Sequence, residues 1–528
     1  MLLLSGLIAF ALPAQARSIR WAAQAEVQTL DPHAQHHSQT QAVLQHVYES
    51  LTRYNGRLEI EPSLASKWEV VSPLVWRFHI RKDVRFHDGT PLDADDVLFS
   101  LERIREAKNP LSVLISSIRS VRKLDSHLIE ITVDKPAPLL PRHLADASIM
   151  SRSWARKHNA EKAQNHKRAE QGHSARHANG TGPFRVDGWP TDKPLHLTRN
   201  PDWWDSANFR GNISAFTYVP IGSDTARMRA LLDDEVDIVT DLPSNQAAAL
   251  RRKNPHLSYA SLVAPRTLMI GMDQSSTRLR HGNAGNTNPF RDQQVRLAMY
   301  LALDMRRLYR ATEGTTLPAG TIVAPGVTGW TAELDRRPAR DLGLARQLMQ
   351  KAGYADGFDV TLDCPNNRYA YDTAICEALV PMLKPIGIRV TVNSQPFASL
   401  MPRLETLDSS MWLLGWGSPD NDALHNLLSL TYTHSEKVPG TYNAARISNR
   451  GLDALIDAAR VENRPEKRRK LLEQALQIVK DQVYYLPLRH ATRTWVMNRR
   501  LKLLQLPAER PDMRFIETGT DRSPPEKQ

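Results

Sequence analysis

The sequence predicts an α/β chain of two or three domains, with mixed sheets flanked by helices. Three observations carry that expectation. A length of 528 residues exceeds what one hydrophobic core spans, since cores stop growing beyond roughly 300 residues. Hydrophobic residues make up 41% and charged residues 24%, the balance of an ordinary globular protein. Finally, the hydrophobic period switches between two and 3.6: residues 358–363 read as a strand, 370–386 as a helix and 389–393 as a strand. That succession argues for helices laid over a mostly parallel sheet.

Taken in order, residues 2–13 are nearly all apolar and lead to Ala14-Gln15-Ala16, a small-x-small cleavage pattern. They read as a signal peptide cut after Ala16, too short for a bilayer, which needs about 20 apolar residues. No cysteine follows the cut, so a lipid anchor is unsupported. Residues 19–22 read as an edge or opening strand. His33, His36 and His37 lie in a polar loop and read as solvated, without carboxylates or cysteines at ligand spacing. A helix is expected near residues 41–48.

Residues 61–104 are the most informative stretch. Trp76, Phe78 and Ile80 alternate with polar partners as in a half-buried strand, and His87-Asp88-Gly89-Thr90 carries an Asp-Gly turn. Asp93 then precedes Asp95, Asp96 and an apolar 3.6-residue pattern at Val97, Leu98, Leu101 and Ile104, which marks a helix start. A strand pair is expected over residues 118–133. Residues 180–184, Gly-Thr-Gly-Pro-Phe, lack the lysine and spacing of a phosphate loop and read as a tight backbone turn. Further helices are expected at 223–233, after Asn288-Pro289-Phe290, and at 345–353.

The run Pro62, Leu64, Ala65, Trp68, Phe86-His87-Asp88-Gly89, Asp96-Val97 and Phe99-Ser100-Leu101 resembles bacterial extracellular solute-binding proteins of family 5. These are the dipeptide, oligopeptide, opine and nickel binders of ABC transporters. The resemblance continues through Leu30-Asp31-Pro32, Gly180–Phe184, Arg199-Asn200-Pro201, Pro289-Phe290 with Val295-Arg296, and Pro487-Leu488, so it spans nearly the whole mature chain. It departs at Asp234, where the family has glycine. It implies a two-lobed periplasmic-binding-protein fold (type II, cluster C) with an extra inserted domain. On that basis residues 1–16 are a signal peptide and 17–57 begin lobe 1. Residues 58–179 form the inserted domain, 180–270 return to lobe 1, 271–488 form lobe 2, and 489–528 go back to lobe 1 with a tail.

The same resemblance implies the site. Glu49, Ser50 and Leu51 match the extended segment that lines the cleft in relatives. Gly415, Trp416, Gly417 and Ser418 form its opposite wall. Peptide-binding relatives often place an aspartate three residues after this tryptophan; here that position is Pro419, and the acid is displaced to Asp420, with Asp422 beyond. Arg368 is a candidate for a ligand carboxylate. The expected function is that of a periplasmic binder, taking a peptide or peptide-like solute to an inner-membrane ABC permease, as a monomer with no cofactor and no metal. The alternative is a nickel or haem scavenger of the same fold.

Other classes fare worse. Lys plus Arg exceed Asp plus Glu by 69 to 57, a net +12, yet the basic residues are dispersed and no nucleic-acid-binding motif is present. Neither H-E-x-x-H nor G-x-S-x-G occurs, which argues against a secreted hydrolase. Two cysteines, Cys364 and Cys376, cannot make a tetrahedral zinc site, and their spacing allows a loop-to-helix disulfide.

Overall fold

The computed structural model describes residues 17–107, 109–164, 172–186, 188–189, 193–434, 440–505 and 510–519. The leader read at residues 1–16, and His166, lie outside these.

A twelve-stranded sheet runs through both lobes among the described residues. In lobe 1 its centre is Ser18–Ala23, paired in parallel with Ala215–Pro220 on one side and Ile238–Leu242 on the other. This strand is interior, not an edge. Ile19, Trp21 and Ala23 enter one core while Ala22 enters a second on the opposite face, so both faces are covered, as parallel strands require.

Two long strands, Ser258–Met272 and Leu486–Met497, cross between the lobes. Residues 258–263 pair with 492–497 beside the lobe 1 strands, and 267–270 pair with 486–490 beside lobe 2. The register breaks between Val263 and Thr267, which places a two-stranded crossing at residues 264–266. Beyond it, Phe358–Pro365 pairs in parallel with Ile388–Gln395 and with Met411–Gly417, which runs antiparallel to Ser258–Met272. Parallel pairing thus holds for the outer part of lobe 2, whereas the crossing strands are antiparallel.

The four strands Ala65–Ser72, Val75–Ile80, Leu128–Val133 and Ile118–Asp125 form a separate antiparallel sheet. The helix Ala94–Glu106 packs Val97, Leu101 and Ile104 onto its Trp76, Phe78 and Ile80. Its start is a full capping box. Asp93 accepts from the backbone of Asp95 and Asp96, and Asp96 accepts from the backbone of Asp93 at 3.0 Å, so orphan N–H groups at the helix start are satisfied. Gly89 takes φ +85° in the turn before it. The core of this subdomain ends at Ile149; Met150, Trp154, Ala155 and Ala160 pack into lobe 1.

Three local readings change. His33 is fully buried, hydrogen-bonded through Nε2 to the Ser148 carbonyl at 2.8 Å; burial and the nearby Arg103 lower its pKa to about 4, so it is a neutral structural histidine and not a solvated one. Gly180 and Gly182 are required for close approach, because a Cβ would stand 1.9 Å from the Val47 carbonyl and 2.5 Å from that of His46. Asp234 adopts φ +57°, the left-handed region, which aspartate tolerates better than most residues.

Cys364 and Cys376 are disulfide-bonded, 12 residues apart, with both sulfurs buried in the lobe 2 core. Closing a loop of this size stabilises by about 3 kcal/mol in the chain-entropy account. The Cys364→Ala/Cys376→Ala variant is therefore expected to unfold at lower urea in its lobe 2 transition, with fluorescence of lobe 1 tryptophans little changed.

Candidate functional site

The segment from Glu49 to Leu51 lies in the lobe 1 wall with its carbonyls already committed. They accept from Ile149, from Leu64 and from Ser63 and Ala65 respectively, at 2.8–3.2 Å. Leu51 is fully buried in the inserted subdomain's core. The Glu49 carboxylate receives the indole N–H of Trp204 at 2.8 Å, that of Trp203 at 3.3 Å and the Thr181 hydroxyl at 2.8 Å. Burial pushes its pKa up, opposed by the hydrogen bonds from Trp204 and Thr181 and by the charges of Arg53 and Arg514. Glu49 thus anchors the wall from behind.

The strand Met411–Gly417 has two distinct faces. Gly415 and Gly417, two residues apart, share one of them. A Cβ on Gly415 would meet the Tyr369 ring at 2.7 Å, and one on Gly417 would lie 3.7 Å from the Arg266 guanidinium. The Tyr369 hydroxyl also bonds both the N–H and the carbonyl of Gly415, at 2.9 and 3.2 Å. The room at Gly415 is thus taken by the Tyr369 ring, whereas at Gly417 the nearest atom is the Pro265 carbonyl oxygen, 3.5 Å from where a Cβ would be. Trp416 points the other way, stacked on His425 and tilted against Tyr442 with ring centroids 6.1 and 5.0 Å apart.

The chain then turns. Ser418 is buried, its N–H donating to the Pro265 carbonyl at 2.7 Å and its hydroxyl to Asn426 at 2.8 Å. Asp422 is also buried and is held by a bidentate Arg468 at 2.6 and 2.9 Å while capping the helix Ala423–Leu430. Asp420, between them, is half-exposed. Its charge acts on Tyr54, His143 and His425; burial lowers the pKa of both histidines and Asp420 opposes that effect. Asp422 is therefore a structural acid, and Asp420 is the one whose side chain is free of a fixed ion pair among the described residues.

Glu49 and Ser50 meet this turn at a polar cavity of about 660 Å³, bounded on the lobe 2 side by Pro419 and Asn421. Tyr54, Arg53, Asp146 and Arg510 line the lobe 1 side. Asp146 pairs with Arg510 at 3.1 Å; burial opposes its ionisation, but Arg510 and His36 hold its pKa at about 2. Arg142 ties the lobes at the cavity's edge, donating to the Leu58 carbonyl at 3.3 Å, the Asp420 carbonyl at 3.2 Å and the Thr328 hydroxyl at 2.5 Å. Leu51, Arg368, Gly415, Trp416, Gly417, Ser418 and Asp420 do not line this cavity; Arg368 stands in the loop after the strand Phe358–Pro365, exposed, over Phe397 at 5.1 Å. Sequence reading missed Arg142 and Tyr54. Nothing in their neighbourhoods distinguishes them from surface residues, because their partners are distant in the chain.

Two lobes joined by two crossing strands, with a polar cavity where they meet, define the architecture of a solute-binding protein. Residues 59–437 match the family described as bacterial extracellular solute-binding proteins, family 5, and the chain belongs to that family. It is 26% identical to Di/tripeptide-binding protein 2 of Pseudomonas aeruginosa, the match covering 93% of this chain and 92% of that protein. Heme-binding protein A of Haemophilus influenzae is 25% identical, over 85% of this chain and 82% of that one. The backbone resembles that of MppA, a periplasmic murein tripeptide binding protein, in its unliganded open form. The TM-score there is 0.80 at 20% identity, covering 96% and 98% of the two chains.

Proposed function

We propose that this chain is the periplasmic substrate-binding component of an ABC importer, capturing a peptide or peptide-like small solute between its lobes and delivering it to an inner-membrane permease. The observation that carries the reading is the convergence of Glu49–Ser50 from one lobe and the turn at 419–421 from the other on one cavity of about 660 Å³. That volume falls within the range of small-ligand sites, roughly 300–1,000 Å³. Its walls are polar, and Asp420, between the lining residues Pro419 and Asn421 though not itself part of the lining, has no fixed ion pair among the described residues. A solute touching both lobes binds the closed arrangement better than the open one and so shifts the population toward it. The crossing at residues 264–266 is where such a motion is absorbed.

Native mass spectrometry of the protein as purified tests the reading: a co-purified peptide-sized mass, released on unfolding, is expected. A protein that carries none, and binds no member of a di- and tripeptide library by calorimetry, contradicts it. Asp420→Asn is expected to weaken an amino-bearing peptide by about 1.5–3 kcal/mol, the scale of a charged hydrogen bond. Calorimetry that returns the wild-type affinity would remove Asp420 from the site.

A further inference from the structure

The inserted subdomain is fastened to lobe 1 and also touches lobe 2. Its hold on lobe 1 is buried: Arg103 of its helix is joined to Asp31 by two hydrogen bonds, and the Ser148 carbonyl is bonded to His33 Nε2 at 2.8 Å. Whatever the subdomain grips in lobe 2 is therefore gripped by lobe 1. It does so at two places. Arg142, in the short helix Leu140–His143, donates to the Thr328 hydroxyl at 2.5 Å and the Asp420 carbonyl at 3.2 Å, both in lobe 2, and to the Leu58 carbonyl at 3.3 Å on its own side. Elsewhere on the subdomain, the carbonyl of Pro73, between the strands Ala65–Ser72 and Val75–Ile80, accepts from the Asn463 side chain of lobe 2 at 2.9 Å.

Both sides of the Arg142 contact are shaped to be held. In lobe 2 the loop at Thr328 and the turn at Asp420 are knit into one piece: the Thr328 N–H donates to the Asn421 carbonyl at 2.9 Å, and the Ala423 N–H to the Thr328 carbonyl at 3.1 Å. One guanidinium thus grips two segments that move together, through charge-assisted hydrogen bonds, the stronger kind. On the subdomain side Leu58 has φ +63°, an outlying conformation for so bulky a residue. Such strain persists only where the surroundings over-determine it. Here those surroundings are the junction itself. The Leu58 side chain seats on Gly326 of lobe 2, where a Cβ would stand 3.1 Å from it, while its carbonyl meets Arg142. Arg142 does not line the interlobe cavity, so the junction is made by a residue outside the wall that a solute would touch.

We propose that Arg142 latches the inserted subdomain onto lobe 2, holding the lobes together in a fraction of the molecules before any solute arrives. The inference rests on the reading that the lobes move about residues 264–266, and it gives the inserted subdomain a part in that motion. Opening takes the guanidinium from Thr328 and Asp420 together, whereas Leu58 travels with the subdomain and keeps its bond. A latched population is a pre-organised one: a solute that prefers the closed arrangement finds it already present, and its apparent affinity rises with the fraction latched.

Spin–spin distances in the protein without solute test this, with labels on cysteines introduced at the exposed positions Val71 in the subdomain and Glu466 in lobe 2, which flank the contact of Pro73 with Asn463. The wild-type distribution is expected to contain a short-distance component. Arg142→Met should lower the ratio of that component to the longer one by about tenfold, the effect of losing one charged hydrogen bond from one state only. Arg278→Gln, at an exposed position of lobe 2, is the control and should superimpose on wild type. A wild-type distribution without the short component, an Arg142→Met distribution equal to wild type's, or an equal change in Arg278→Gln overturns the proposal. Should Arg142→Met fail to fold, Thr328→Val removes one acceptor and keeps the shape: a smaller shift in the same direction is expected, and no shift overturns the latch. No solute enters the measurement, so its result stands apart from the native mass spectrum that decides whether peptides are bound.

Discussion

Arg103→Leu is expected to destabilise the protein by about 3–5 kcal/mol, seen as a large fall in the melting temperature by scanning calorimetry. Asp31 and Arg103 are both fully enclosed and joined by two hydrogen bonds of 2.7 and 2.6 Å. Removing one partner leaves the other charge buried and unpaired, the costly half of such an arrangement. The pair also holds the fold together at a distance. Arg103 sits on the subdomain helix Ala94–Glu106, Asp31 on the lobe 1 segment after the first strand, and Ser174 and the Gln164 backbone also donate to Asp31. Burial raises the Asp31 pKa, but Arg103's charge and hydrogen bonds outweigh it and bring it from 3.8 to about 2. A carboxylate with a depressed pKa stabilises the fold fully above its unfolded value and loses that contribution as pH falls through its folded value. The contribution of this pair should therefore fade between about pH 4 and pH 2. In Arg103→Leu this part of the pH dependence should be absent; calorimetric profiles identical in shape to wild type would contradict the role given to the pair.

Arg468→Met is expected to cost a similar amount, about 3–5 kcal/mol, and to reach the site as well. Asp422 is buried with its two oxygens on Arg468, and it caps the helix Ala423–Leu430 at the end of the turn that carries Asp420. Arg468 also donates from Nε to the Ala459 carbonyl at 3.0 Å, linking the helices Arg450–Val461 and Pro465–Asp481 to that turn. Loss of the pair leaves an unpaired carboxylate beside the cavity and frees the 418–421 turn. Unfolding curves should show the lower stability, and peptide titrations a weaker affinity with the Asp420→Asn effect much reduced. Unchanged stability would mean that Asp422 finds water or another partner.

What was readable in the chain was what is local. Asp93 with Asp96, the Asp-Gly turn at Gly89 and the strand Val75–Ile80 depend on residues within a few positions of one another, and they appear where periodicity and capping chemistry place them. The disulfide was legible as a possibility because the cysteines are near neighbours. The wall around Gly415 was not. Its glycines suggest room for a ligand, yet the room at Gly415 belongs to Tyr369, 46 residues earlier. His33 was misjudged for the same reason, since its partner Ser148 is 115 residues away. Family likeness located the segments at Glu49 and Ser418, but not which of their groups are already engaged by the fold. That depends on hydrogen bonds made across the sheet and between lobes.

The central claim is that the two lobes close about residues 264–266 on a solute held between them. Pulsed electron paramagnetic resonance tests it directly, with spin labels on cysteines introduced at the exposed positions Asp233 in lobe 1 and Glu405 in lobe 2; the native cysteines are disulfide-bonded and do not compete. Saturation with a peptide shown to bind by calorimetry should replace a broad distance distribution by a narrower one with its maximum displaced. Superimposable distributions with and without that bound peptide would contradict closure.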